Sequence, residues 1–244
     1  VPKKEITNIK AVSFDGDMTL WDFEKVMRHA LACTLDELRR RLPGTNADQL
    51  TIERMIEIRN EVAEELRGRT TNLEETRLQA FRRTLQAVDC LDDRLAEELN
   101  ALYLRHRFEG VELYADVLPT FDALAPHVPL GLVSNGNGYP DRCGLAGRFR
   151  FVLFSQDLGV EKPDPAMFLT ACREAGCEPR ELLHVGDSLT SDVAGANAVG
   201  AISVWLNRSG EPNQTSILPD YEVSSLSELP NLLGLGQPGP AHKD

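Results

Sequence analysis

Two rhythms of apolar residues divide the chain. The run Ile9-Lys10-Ala11-Val12-Ser13-Phe14 is short, rich in β-branched and aromatic side chains, and stops at an acidic cluster. It predicts a buried strand that opens into a polar loop. From Asp22 to about Gly110 apolar residues instead recur every three or four positions. Phe23, Val26, Met27, Ala30, Leu31, Leu35, Leu38 and Leu42 make one stripe, the mark of an amphipathic helix. Pro43-Gly44-Thr45-Asn46 ends it, and further helices are expected at roughly 48–67, 72–88 and 91–107, with Gly68 and 89–92 as punctuation. These 89 residues carry almost no strand signal.

After Val111 the rhythm becomes strand, loop, helix. Compact apolar runs at 129–133, 149–154, 182–185 and 201–206 alternate with helical patterns at about 117–125, 164–176 and 190–199. Such alternation builds a parallel sheet covered by helices on both faces. The chain therefore reads as α/β: a doubly wound, Rossmann-like parallel sheet from residues 1–21 and 111–233, with an all-helical domain, 22–110, inserted after the first strand. Residues 234–244, rich in Gly and Pro, are expected to lack structure.

Composition narrows the function classes. At 244 residues and 42% hydrophobic, the chain is long enough to bury a core without staples. No apolar run approaches the roughly 18 residues of a membrane span, and the N-terminus passes into strand without a signal-peptide core. Five cysteines, odd in number and without a Cys-x-x-Cys, suggest reduced thiols in a cytoplasmic protein, not a disulfide framework or zinc site. The net charge of −12 argues against nucleic acid and anionic membrane as partners. It also requires that any anionic substrate be attracted locally. The insert holds 15 basic residues, 14 of them arginine, against 18 acidic ones, while the rest of the chain has 11 against 20. The acidic excess thus belongs to the sheet.

Open α/β sheets bind ligands at the carboxyl ends of their strands. Four strand ends carry chemistry here: Asp15-Gly16-Asp17-Met18-Thr19, Ser134-Asn135-Gly136, Glu161-Lys162-Pro163, and Gly186-Asp187-Ser188-Leu189-Thr190-Ser191-Asp192. Each has an ordinary reading as a cap, turn or surface residue. Their convergence on one edge does not. Carboxylates at 15, 17 and 187 would repel in a cleft, and a hard divalent cation such as Mg²⁺ would resolve the conflict. With Lys162 and the Ser134 hydroxyl approaching from other directions, a phosphoryl group fits the set. One carboxylate would attack in line through an aspartyl-phosphate, and a second, two residues on, would move the proton.

These motifs resemble the haloacid dehalogenase superfamily, most of whose members are Mg²⁺-dependent phosphatases, across the whole sheet domain and in motif order. The resemblance implies that Asp15 is nucleophile and metal ligand, and that Asp17 is general acid/base and gives its backbone carbonyl to the metal. It makes Ser134 and Lys162 catalytic and, with Asn135, phosphate-binding; Asp187 ligates the metal, and Asp192 orients a metal-bound water or Lys162. Met18 stands where the family usually has Gly, Asn or Asp, which sets an apolar side chain near the entrance. Relatives that dehalogenate or cleave phosphonates lack the acid at position 17, so both activities are disfavoured. Lys25, the sole lysine of the insert, has a surface reading instead of the phosphonate branch's Schiff-base role. A sugar phosphomutase of the same superfamily remains the alternative, and a non-enzymatic phospho-receiver domain a more distant one.

The insert resembles the family's helical cap, a lid that favours a small phosphorylated metabolite. Residues 183–208 are similar to phosphatases acting on flavin mononucleotide or its precursor, pyrimidine nucleotides, and N-acylneuraminate 9-phosphate. A nucleotide, flavin precursor or sugar phosphate is therefore expected. Trp205 and His184 read as packed strand residues, and Arg54 and Arg59 as surface partners of Glu57 and Glu61. Spacing selects no arginine of the insert for specificity.

Overall fold

The computed structural model describes residues 6–235. Strand β1 (Ala11–Phe14) is followed by four long helices: α1 (Phe23–Arg41), α2 (Ile52–Leu66), α3 (Leu73–Gln86) and α4 (Asp93–Glu109). Then come α5 (Val117–Leu124), β2 (Leu130–Ser134), β3 (Phe151–Phe154), α6 (Ser155–Leu158) and α7 (Pro165–Ala175). The chain continues through β4 (Leu182–Gly186), α8 (Ala194–Val199), β5 (Ile202–Leu206), β6 (Tyr221–Val223) and α9 (Leu229–Leu232). The strands form one parallel sheet in the order β3-β2-β1-β4-β5-β6.

Every residue of β1, β2, β4 and β5 is buried, as expected where helices cover both faces. Alternation sorts the side chains. Val12 and Phe14 join Val117 and Phe121 of α5 on one face, while Ala11 and Val133 meet Met167 and Phe168 of α7 on the other. Helices α1–α4 enclose a separate apolar core that includes Leu35, Leu38, Leu85 and Leu99. They start where side chains accept orphan backbone N–H groups: Asp22, Thr51, Asn72 and Asp92 cap the four in turn. The two connections to the sheet run side by side. Trp21 bridges Leu113, the Tyr114 amide donates to the Leu20 carbonyl at 3.0 Å, and exposed Lys25 pairs with Glu112 at 3.1 Å.

The structure departs from the sequence pattern in four places. Strand β6 has only three residues, too few to show a period, and forms by pairing with β5. Strand β3 starts at 151 because Phe149 packs on the Phe121 ring from the preceding loop; β3 lies at the sheet edge, with Val152 exposed. The helix expected at 190–199 opens instead on a widened turn, Leu189–Val193, in which the amides of Asp192 and Val193 both reach the Ser188 carbonyl. Finally, Gly234 and Leu235 are folded, not loose: the Leu235 amide donates to the Pro230 carbonyl at 2.7 Å and its side chain packs on the core. The rest of the tail, 236–244, lies outside the described residues. Among the described residues no helix is long and apolar enough to cross a membrane.

Candidate active site

Strand order reverses between β1 and β4, the place where a doubly wound sheet opens a crevice at its carboxyl edge. Asp15 leaves β1 there, its amide held by the Val185 carbonyl at 2.9 Å. Ser134 ends β2, Asp187 follows β4, and Lys162 arrives from the loop between α6 and α7. Carboxylate oxygens of Asp15, Asp187 and Asp192 all lie within 4.8 Å of one another.

One ammonium serves this acidic cluster. Lys162 Nζ donates to Asp15 Oδ1 and to Asp192 Oδ1, both at 2.6 Å, and the three side chains are buried. Asp192 is fixed from behind: Oδ2 accepts the Ser188 N–H at 3.0 Å, and Oδ1 lies 3.1 Å from His184 Nε2. His184 Nδ1 in turn lies 2.8 Å from Ser13 Oγ, directly opposite in the β1–β4 register. His184 is thus packed within its strand, as its sequence position suggests, and also joins a polar chain from Ser13 to Asp15. Nothing in its spacing marked that second role.

Electrostatics follow from burial. Desolvation pushes the Asp15 carboxyl up to about 8; Lys162 pulls it down, and Asp192 and Asp187 push it up. Asp187 rises to about 6, from burial and then from Asp192. Burial works against charged Asp192, but Lys162 and His184 prevail and hold it well below the usual carboxylate range. Burial likewise opposes the Lys162 ammonium, yet Asp15 and Asp192 keep it above its ordinary value.

Asn135, expected at the phosphate, spends its side chain elsewhere. Its Oδ1 accepts the Lys162 N–H at 2.7 Å and its Nδ2 donates to the Lys162 carbonyl at 2.9 Å. It positions the lysine, and whatever it offers a ligand comes from its main chain. Ser134 Oγ accepts the Gly136 N–H at 3.0 Å. A side chain at Gly136 would place Cβ 2.5 Å from Asp17 Oδ2, and one at Gly186 would come within 2.2 Å of Asp192. Glycine at these two positions lets the loops close on the carboxylates.

Asp17 stands apart from the lysine cluster. Its Oδ1 accepts the indole N–H of Trp21 at 2.8 Å. Trp21 was not singled out from the sequence; an aromatic donor four residues on in the same loop was the available signal. Trp205 is strand core, and its indole N–H also donates to the Asp187 carbonyl at 2.8 Å, while Thr19 Oγ1 reaches Asp187 Oδ1 at 3.3 Å. Met18 has φ +63°, the left-handed conformation that Gly, Asn and Asp tolerate best. It is half-buried and is not among the residues that line the cavity beside Asp17.

That cavity, about 270 Å³, has Asp17, Asn135, Gly136 and Asn137 on its sheet side. Its volume lies just under the roughly 300–1,000 Å³ usual for small-molecule sites. Helices α1–α4 supply apolar walls from Met27, Leu31, Phe81 and Tyr103, together with Arg59, Arg77 and Arg107. Arg59 was expected to face Glu57 and Glu61; Arg54 takes both, at 3.0 and 2.9 Å, and Arg59 Nη1 instead donates to Asn60 Oδ1.

A family model of haloacid dehalogenase-like hydrolases matches residues 9–200, from before β1 to the end of α8. The chain belongs to the haloacid dehalogenase-like hydrolase family. It is therefore an enzyme, a hydrolase. Within the family it is 30% identical to glyceraldehyde 3-phosphate phosphatase of Methanopyrus kandleri, over 91% of this chain and 95% of that protein. It is also 30% identical to the 5-amino-6-(5-phospho-D-ribitylamino)uracil phosphatase YigB of Escherichia coli, over 94% and 98%. Among solved structures, 2-haloacid dehalogenase from Pseudomonas syringae pv. Tomato DC3000 superposes with a TM-score of 0.79, at 35% identity over 93% of this chain and 99% of that one.

Proposed function

We propose that the protein is a Mg²⁺-dependent phosphatase that hydrolyses a small phosphorylated metabolite through an aspartyl-phosphate on Asp15. The observation that carries this reading is the separation of two carboxylates within one loop. Asp15 is locked to Lys162 beside Asp187 and Asp192, whereas Asp17 is held by Trp21 on the sheet side of the cavity. This separation supports Asp15 as nucleophile and Asp17 as proton carrier.

The donor set fits a hard cation. Three carboxylates cluster where one ammonium pairs with only two of them, and all their donors are oxygens. The Asp15 and Asp187 carboxylates and the Asp17 carbonyl would hold Mg²⁺, which when bound would offset the charge of the phosphoryl oxygens. Lys162 uses two of its three N–H groups on Asp15 and Asp192, and the third is available to a phosphoryl oxygen, as is the Ser134 hydroxyl proton.

Asp15 attacks phosphorus, forming the Asp15–phosphorus bond as the bond to the leaving oxygen breaks, and Asp17 gives that oxygen its proton. Water then attacks the aspartyl-phosphate and yields its proton to Asp17; inorganic phosphate departs and Asp15 is restored. Helices of the 22–110 segment act as a cap that excludes bulk water during these steps. The names of the two relatives, a triose phosphate phosphatase and a ribitylaminouracil phosphatase, support a small substrate of the nucleotide, flavin-precursor or sugar-phosphate kind.

A dehalogenase reading has the Pseudomonas syringae structure in its favour. A halide leaves without a proton, however, so that chemistry gives an acid at Asp17, oriented by Trp21, nothing to do. A sugar phosphomutase keeps both aspartates and is separated by its product, a rearranged ester with little free phosphate. The deciding assay is phosphate release from an aryl phosphate, abolished by EDTA and by Asp15→Asn in a protein that still folds. Metal-independent turnover, or halide release from a haloacid that outpaces phosphate release, would overturn the proposal.

A further inference from the structure

Three guanidinium groups line the cavity, against one carboxylate, that of Asp17. Elsewhere on the four helices Arg39 bonds the Leu50 carbonyl and most arginines meet acidic partners, Arg54 with Glu61, Arg82 with Asp93 and Arg83 with Glu65. Arg59, Arg77 and Arg107 have no such partner among the described residues. In a chain of net charge −12, this wall is locally cationic.

Arg107 is held in place before any ligand arrives. It is buried, Nη1 donates to Asn137 Oδ1 at 2.6 Å, and its guanidinium lies 5.0 Å from the Phe23 ring centre and 5.3 Å from that of Phe108. Arg77 sits 5.8 Å from the Tyr103 ring centre, and its Nη1 is buried without a hydrogen bond among the described residues. A buried charged donor left unmade is costly. Burial, with Arg107 next, pulls the Arg77 guanidinium down to about 10, the behaviour of a cation short of a counter-charge.

We propose that this cavity holds the leaving group of the substrate, and that the leaving group carries a second anion, a carboxylate or a further phosphate, gripped by Arg77 with Arg107 and Arg59 beside it. The inference rests on the phosphatase reading above. The phosphoryl group lies at Asp15, the bond to be broken faces Asp17, and Asp17 opens onto the cavity, so the rest of the molecule extends toward the arginines. Guanidinium suits this task because its planar fork matches carboxylate and phosphate oxygens in pairs. The lining also includes apolar Met27 and Phe81, which would pack against the body of the leaving group.

The test compares phenyl phosphate with its para-carboxylated and para-phosphorylated analogues, using the whole chain with Mg²⁺. The wild type should favour one charged analogue by at least about tenfold in kcat/KM, the worth of one charge-assisted hydrogen bond. Which one wins identifies the anion. Arg77→Met should reduce that ratio to below about threefold, whereas Arg82→Met, on the outer surface of the same helix, should keep it. If Arg77→Met does not fold, Arg59→Met on the exposed rim carries the same comparison with a smaller loss. Equal kcat/KM for all three esters in the wild type, or a ratio unchanged by Arg77→Met, overturns the inference and leaves the phosphatase reading standing. If the wild type releases phosphate from none of them, the phosphatase reading fails. Calorimetric binding of para-hydroxybenzoate against phenol then decides this inference: a preference lost in Arg77→Met upholds it, and no preference overturns it.

Discussion

At the rim of the sheet, Lys162 lies buried between Asp15 and Asp192, and all three charges are held out of water there. On α1–α4, Arg54, Arg83 and Arg94 lie in solvent against Glu61, Glu65 and Glu98, whereas the three arginines turned to the cavity lack acidic partners among the described residues. The first region concentrates negative charge, and the second turns positive charge into a cavity of about 270 Å³ whose sheet side carries Asp17. On the proposed function the contrast separates two tasks: the rim would take the phosphoryl group that any substrate of this class must have, and the helices would read what distinguishes one substrate from another. It also removes the difficulty posed by an overall charge of −12, since the field that matters is local and screened within about 10 Å.

The comparison breaks most visibly at Asp15. Asp15→Asn should lower kcat by on the order of 10⁴- to 10⁶-fold in steady-state phosphate release, with circular dichroism unchanged, because it removes the nucleophile. Asp17→Asn should cost about 10²- to 10⁴-fold, and more for alkyl than for aryl phosphates, whose leaving oxygen needs less help from a proton. Equal losses for both ester types would take the acid role from Asp17.

Cation binding gives the next largest effect. Mg²⁺ at about a hundred times its Kd should raise unfolding free energy by about 2.7 kcal/mol, read as a higher Tm, and Asp187→Asn should remove the shift. A smaller effect tests the sheet away from its rim. Asp116 accepts both Nη groups of Arg208, at 2.8 and 3.0 Å, as well as Ser225 Oγ and the Leu226 N–H. Burial works against its charge, but these donors outweigh it and hold the carboxyl below its ordinary value. A lowered carboxyl stabilises the fold above the unfolded pKa of about 3.9 and loses that contribution as pH falls through the folded value. Asp116→Asn should therefore lower Tm by about 2–6 °C at pH 7, with the difference closing below about pH 4. Arg54→Ala, which breaks an exposed pair on the helices, should leave Tm within error.

The two regions were also legible in the sequence to different degrees. Asp15, Ser134 and Asp187 stand where apolar runs stop and Lys162 follows one a few residues on, and a parallel sheet delivers every strand end to one edge, so one-dimensional position was enough to gather them. Arg77 and Arg107 come from different helices, and which faces of α3 and α4 turn to the sheet depends on packing that period alone does not fix. His184 and Trp21 were hidden for another reason. His184 sits inside a buried strand and Trp21 in the loop after β1, and in each a ring nitrogen finds a carboxylate only in three dimensions. Strand β6, three residues long, exists because β5 offers it an edge.

The central claim is that Asp15 carries the phosphoryl group. Wild-type protein mixed with an aryl phosphate and Mg²⁺, quenched in acid within one turnover and digested, should yield a phosphorylated peptide containing Asp15. That peptide should be absent with EDTA and in Asp15→Asn. Full turnover with no adduct on Asp15, or an adduct that persists in Asp15→Asn, would contradict the account.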